Sequence, residues 1–104
     1  MILPGVDISN IQTQIGLALG EARPIFANHG LPLIITSCRD GVHMRGSLHF
    51  VGAAVDLRIN HAPRDKWEII TDQIRLSLGW PESQFDVLLE TDPDHIHIEF
   101  QPKE

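Results

Sequence analysis

The stretch that decides the fold is His95-Ile96-His97-Ile98-Glu99-Phe100. Side chains alternate between the two faces of a β-strand, so Ile96, Ile98 and Phe100 share one face and the other three share the opposite face. The apolar face predicts a strand packed on a hydrophobic core. Two imidazoles and a carboxylate on the other face indicate either a functional site or an ordinary polar surface.

Hydrophobic patterning predicts the elements around this strand. Apolar runs that are β-branched or alternating predict strands at residues 33–36, 53–59, 85–90 and 95–101, with a loop over 38–52. The short turn TDPD favours a hairpin between the last two strands. Apolar residues spaced three and four apart predict helices at 10–29 and 63–78, and Pro24 is expected to kink or split the first. The order indicates an α+β fold with a small, mostly antiparallel sheet and two flanking helices.

Length and charge narrow the class of protein. A chain of 104 residues predicts one domain over residues 1–104. The 14 acidic and 8 basic residues give a net charge of −6, which disfavours nucleic acid as a partner because phosphate binding needs Lys and Arg. No apolar run approaches the ~20 residues of a membrane span. The first ten residues lack a signal-peptide pattern, so we expect synthesis in the cytoplasm.

A second informative segment is SLHFVGAAVD, residues 47–56. Its Asp56 lies in an otherwise apolar strand, where a carboxylate costs free energy unless it is paired or ligated. The Asp56 carboxylate is stabilised either by a metal ion or by a neighbouring hydrogen-bond donor. The candidate donors are Arg58, Arg39 and a backbone amide. His49 lies seven residues earlier, with an intervening glycine that permits a bend. With His97, these residues match the two imidazoles and one carboxylate of a catalytic zinc site.

A catalytic zinc site also needs a nearby carboxylate that transfers protons. Asp94 is the best-placed candidate because it lies three residues before His97, at the turn that enters the last strand. The alternatives are Glu90, Asp92 and Glu99.

The two segments together carry a family resemblance. Ser-x-His-x-x-Gly-x-Ala-x-Asp, followed by Asp-x-x-His within a His-x-His strand, resembles the zinc D-alanyl-D-alanine peptidase family. That family includes L-alanyl-D-glutamate endopeptidases, among them phage endolysins, and shares its core with the hedgehog signalling domain. The matching residues are Ser47, His49, Gly52, Ala54, Asp56, Asp94, His95 and His97. Upstream, Ile35-Thr36-Ser37-Cys38-Arg39 resembles the family's strand that ends in Ser-Gly-Tyr-Arg.

The resemblance implies a hedgehog/DD-peptidase-like fold and a zinc metallopeptidase acting on peptidoglycan stem peptides, as a carboxypeptidase or an endopeptidase. One zinc ion would be held by His49, Asp56 and His97. Metal-bound hydroxide would attack the amide with Asp94 as general base. Arg39 would hold the substrate carbonyl or carboxylate, His95 would help stabilise the oxyanion, and Ser47 would contact the substrate. A small, phage-encoded enzyme that reaches the cell wall after release fits this interpretation.

Two other classes of function stay open. The second class is a non-catalytic, metal-containing domain with a binding or structural role, for example a phage particle component. A fourth protein ligand such as Cys38 or His95 would favour that interpretation, because structural zinc sites are closed by four protein ligands. A metal nuclease is the third class, and the acidic charge disfavours it.

Overall fold

An antiparallel sheet with two helices packed on one face forms the fold of this computed structural model, which describes residues 2–5, 13–39 and 54–100. The helices are α1, Thr13–Asn28, and α2, Trp67–Ser77, with a short 3₁₀ turn at Arg64–Lys66 before α2. The strands are β1, Ile35–Arg39, β2, Ala54–Arg58, β3, Phe85–Glu90, and β4, His95–Phe100. The predicted α+β class is confirmed. The finer likeness to the hedgehog/DD-peptidase fold stays a prediction.

The order of the strands places β4 inside the sheet. Among the described residues the order is β1-β2-β4-β3, and every neighbouring pair in the sheet is antiparallel. The predicted hairpin is confirmed, because Glu90 pairs with His95 across residues 91–94. On its other side β4 pairs with β2, which sets Asp56 opposite His97.

The strand β1 continues beyond its predicted end. The sequence predicts a strand at 33–36 and a loop from residue 38, whereas the strand spans Ile35–Arg39. Its last two residues pair with β2, Cys38 opposite Val55 and Arg39 opposite Ala54. Polar residues give no strand signal of their own, since strand formation depends on the partner that the backbone finds. The loop prediction is therefore wrong for these residues.

The helix α1 is continuous over its 16 residues despite Pro24. Of the predicted kink or split, the split is therefore wrong and the kink stays a prediction. Proline removes the donor for the carbonyl four residues earlier. That carbonyl belongs to Gly20, and both residues are exposed, so water can bond it. The helix ends at Asn28, close to its predicted end at residue 29. Gly30 adopts a φ of +73°, and the Leu31 N–H donates to the Phe26 carbonyl at 3.0 Å. This is the Schellman ending that glycine favours.

The two faces of the sheet differ in chemistry. The face toward the helices carries Val55 and Leu57 of β2 and Ile96 and Ile98 of β4, each at most 1% exposed. Side chains from both helices complete this core: Ile15, Ala18, Ala22, Phe26, Trp67, Ile70 and Ile74. The opposite face, here called the polar face, carries half-buried Asp56, Arg58, His95, His97 and Glu99. Neither α1 nor α2, the helices of the described ranges, has the length and apolar character needed to cross a membrane.

Candidate metal centre

Three metal-binding side chains meet on the polar face. Asp56 lies directly opposite His97, and His95 lies two residues earlier on β4, on the same face. One ligand atom from each residue lies within 4.8 Å of the others. Their side chains are 26%, 20% and 16% exposed for Asp56, His97 and His95. These three residues, here called the metal group, can hold a metal ion.

The first imidazole is tied to Asp56 on one side and to a glutamate on the other. His97 Nδ1 lies 2.7 Å from Asp56 Oδ1, and its Nε2 lies 3.4 Å from Glu99 Oε1. Burial lowers the pKa of His97, but hydrogen bonds to Asp56 and Glu99 and the charges of Asp56 and Glu90 raise it by more. The pKa of His97 therefore lies above its ordinary value of 6.5.

The second imidazole has its tautomer fixed by the hairpin turn. His95 Nδ1 lies 2.6 Å from the carbonyl oxygen of Pro93. A carbonyl only accepts, so Nδ1 carries a proton and donates it. The other nitrogen, Nε2, lies 3.0 Å from Glu90 Oε1 and 3.7 Å from Asp56 Oδ1. Because Nδ1 donates to Pro93, Nε2 is the nitrogen of His95 that can bind a metal ion, and it must give up its contact with Glu90 to do so.

The two histidines are arranged in a complementary way. Each has one nitrogen near Asp56 and the other held by an outer acceptor, Pro93 or Glu99. Metal-binding histidines are typically oriented by such an outer acceptor. Tetrahedral zinc with ~2.0–2.1 Å bonds places neighbouring ligand atoms about 3.3 Å apart. The observed 2.7 and 3.7 Å to Asp56 bracket that distance, so the donor types and spacing fit zinc after small adjustments.

A cleft of about 340 Å³ opens beside the metal group. Its walls are formed by polar residues and one proline: Thr36, Ser37, Asp56, Arg58, Asn60, Pro93, Asp94 and His95. The predicted general base, Asp94, is half-buried and shares this cleft with two members of the metal group. A molecule bound in the cleft would therefore contact two members of the metal group and a separate carboxylate.

Comparisons of the chain with protein-family models, curated proteins and solved structures found no match. No family is therefore shown for this chain, and the resemblance to zinc peptidases stays a prediction.

The structure brings together two of the three predicted zinc ligands, Asp56 and His97. The third, His49, and the predicted substrate contact Ser47 lie outside the described residues. Arg39 is described through its backbone, as the last residue of β1 opposite Ala54. The complete ligand set and the role of Arg39 stay predictions.

The position of His95 suits a metal ligand better than the role that the resemblance implies for it. The resemblance implies a residue beside the metal that stabilises an oxyanion, whereas the structure directs its Nε2 toward Asp56 as a potential ligand. Cys38, the other suggested fourth ligand, pairs with Val55 and packs against the core on the opposite face. The alternation in β4 already placed both histidines on one face, and that signal was sufficient to group them.

Glu90 and Glu99, two of the alternatives for the general base, contact the imidazoles of the metal group. Glu99 lies 3.4 Å from His97 Nε2, the nitrogen that points away from Asp56, so it acts as an outer partner of that imidazole. Glu90 instead contacts His95 Nε2, the same atom that a metal ion would bind. Sequence reasoning missed these contacts because they depend on the strand register. Among the described residues, the Asp56 carboxylate contacts the side chains of the two histidines and not that of Arg58.

Proposed function

We propose that this chain is a zinc-dependent metallopeptidase that hydrolyses an amide bond in peptidoglycan stem peptides. The observation that carries the proposal is the 2.7 Å contact between His97 Nδ1 and the Asp56 carboxylate, which brings together two of the three predicted zinc ligands. The resemblance in sequence supports the peptide substrate. The position of Asp94 on the adjoining cleft supports a hydrolytic reaction over simple metal storage.

The residues divide the work between metal binding and proton transfer. Asp56 and His97, with His49 from the sequence motif, would hold the zinc ion. Zinc supplies Lewis acidity, which lowers the pKa of a coordinated water to about 7. Asp94 accepts a proton from the attacking water and returns it to the departing amine. Glu99 keeps the His97 ring oriented throughout.

A non-catalytic, metal-containing domain is the second candidate, and the position of His95 favours it. With His49 and His95 both bound, zinc would have four protein ligands, which is the closed coordination of a structural site. With His95 unbound, one coordination position stays available to water. The number of bound imidazoles therefore separates the two functions.

The test of the peptidase is mass spectrometry of purified muropeptides incubated with the zinc-loaded chain, with a chelator-treated control. We expect new fragments that disappear with chelator. Loss of one terminal alanine identifies a carboxypeptidase, and release of the stem after its first residue identifies an endopeptidase. Intact muropeptides, with zinc bound and the fold preserved, would contradict the peptidase proposal.

The test of the structural alternative is zinc binding by His95→Ala. In a peptidase the variant keeps one zinc with affinity close to that of the wild type, because His95 is not one of the three zinc ligands there. In a closed structural site the variant loses one of four ligands and binds zinc more weakly. X-ray absorption of the wild type then shows three imidazoles bound to zinc, whereas a peptidase site shows two. His29→Ala is the matched control, because His29 follows the end of α1 and bonds Gln73.

A further inference from the structure

One cationic side chain faces the cleft beside the metal group. Arg58 ends β2, pairs with His95 on β4, and lies two residues beyond Asp56 on the same face. It is half-buried and forms part of the cleft wall. Among the described residues, no carboxylate oxygen lies within 4.0 Å of the Arg58 guanidinium. Within the described ranges its charge is therefore not neutralised by a carboxylate, and it can act on a ligand in the cleft.

The surroundings of Arg58 suit a carboxylate ligand. A guanidinium presents donors in a fixed fork that matches a carboxylate in a bidentate way. Ser37 and Asn60, on the same cleft, add neutral polar groups without adding negative charge. The two acids of the cleft have other tasks, Asp56 in the metal group and Asp94 in proton transfer.

The spacing between Arg58 and the metal group corresponds to a short piece of peptide. Two residues along a strand span about 7 Å, which separates the Cα atoms of Asp56 and Arg58. A long arginine side chain can cover part of that distance. A carboxylate on Arg58 thus places the preceding amide bond, one residue away, near the metal group.

We infer that Arg58 binds the C-terminal carboxylate of the peptide substrate, so the chain removes single C-terminal residues and does not cut inside the peptide. This inference rests on the proposed function and deepens it, because it chooses carboxypeptidase over endopeptidase. In the reaction, hydroxyl from water adds to the carbonyl carbon and the C–N bond breaks. The departing amine takes the proton, which leaves a shortened peptide and a free amino acid.

The experiment uses two probes, L-Lys-D-Ala-D-Ala and the same peptide with a C-terminal amide, with the zinc-loaded full chain. We expect the wild type to favour the acid by about 10- to 100-fold in kcat/KM, as a hydrogen bond to a charged group predicts. Arg58→Met removes that preference mainly by raising KM for the acid. Arg58→Lys keeps the charge without the fork and retains part of the preference.

The control variant is Arg23→Met. Arg23 is exposed on α1, which packs on the opposite face of the sheet, so its variant keeps the wild-type preference. Zinc content and circular dichroism, measured for every variant, separate a lost substrate contact from a lost metal or a lost fold.

A binding measurement tests Arg58 without turnover. N-acetyl-D-alanine and N-acetyl-D-alanine amide are titrated into the zinc-loaded protein and followed by NMR. We expect the acid to shift the signals of Arg58 and Asn60 more than the amide, and Arg58→Met to weaken acid binding about 10-fold or more.

The outcomes distinguish the two ideas. Equal binding and equal cleavage of acid and amide by the wild type overturn the role of Arg58 and leave the peptidase standing. Cleavage inside a longer stem peptide overturns the choice of carboxypeptidase. Absence of chelator-sensitive cleavage overturns the proposed function itself, while the NMR titration still reports whether Arg58 selects a carboxylate.

Discussion

Replacing Asp56 by Asn perturbs the metal group at the atom that its two histidines share. Asp56 Oδ1 lies 2.7 Å from His97 and 3.7 Å from His95. A hydrogen bond to a charged group contributes about 1.5–3 kcal/mol, and one pKa unit corresponds to about 1.4 kcal/mol. We therefore expect Asp56→Asn to lower the pKa of His97, because the burial that lowers this pKa is then opposed by fewer favourable contacts.

The same change has a defined effect on the stability of the metal-free protein. In the wild type the pKa of His97 is higher in the folded chain than its ordinary value of 6.5. Protonated His97 therefore stabilises the fold fully below that value, and this contribution is lost as pH rises through the folded pKa. Asp56→Asn should lower the free energy of unfolding by about 1–2 kcal/mol in acid, and by less at alkaline pH.

The assays are NMR titration of the histidine Cε1 protons, urea unfolding of the chelated protein at two pH values, and competition titration with zinc. Zinc affinity should fall by more than about 100-fold, the upper end of the loss for an outer partner. Asp86→Asn is the matched control, because Asp86 is an exposed acid on β3. An unchanged His97 titration and unchanged zinc affinity in Asp56→Asn would refute the metal group.

Three further predictions follow from the same geometry. Zinc affinity should fall about tenfold per pH unit below the raised pKa of His97, because its Nδ1 proton must leave, and a flat competition profile would contradict this. Asp94→Asn should keep zinc while lowering kcat about 10²- to 10⁴-fold on muropeptides, and wild-type turnover would remove Asp94 from proton transfer. Ile96→Ala should lower the free energy of unfolding by about 2–5 kcal/mol in urea, since Ile96 is 0% exposed in the core. A loss below about 1 kcal/mol would mean that the core is packed differently.

The alternation of β4 could be predicted from the sequence because it depends on local geometry alone. Residues 96, 98 and 100 are buried, and residues 95, 97 and 99 are half-buried, as the period of two requires. The far end of β1 could not be predicted in the same way. Ser37, Cys38 and Arg39 become strand through pairing with β2, and no property of those residues alone reports that pairing.

The candidate site shows the same division between local and long-range information. Asp56 and His97 were recognisable by residue type, as a carboxylate in an apolar strand and an imidazole on a polar face. Their 2.7 Å contact depends on the register between β2 and β4, which are far apart along the chain. The orientation of His95 depends on the Pro93 carbonyl, which only the folded turn brings to its Nδ1.

The contact between Asp56 and His97 joins positions 41 residues apart, so an ion bound there would link the supply of metal to the lifetime of the protein. A ligand that binds only the folded chain stabilises it by about 2.7 kcal/mol when its free concentration is 100 times the Kd. Starved of metal, the chain would populate its unfolded state about a hundredfold more often, and proteases degrade unfolded chains. Metal supply would thereby set how much of this protein accumulates, besides any effect on what each molecule does.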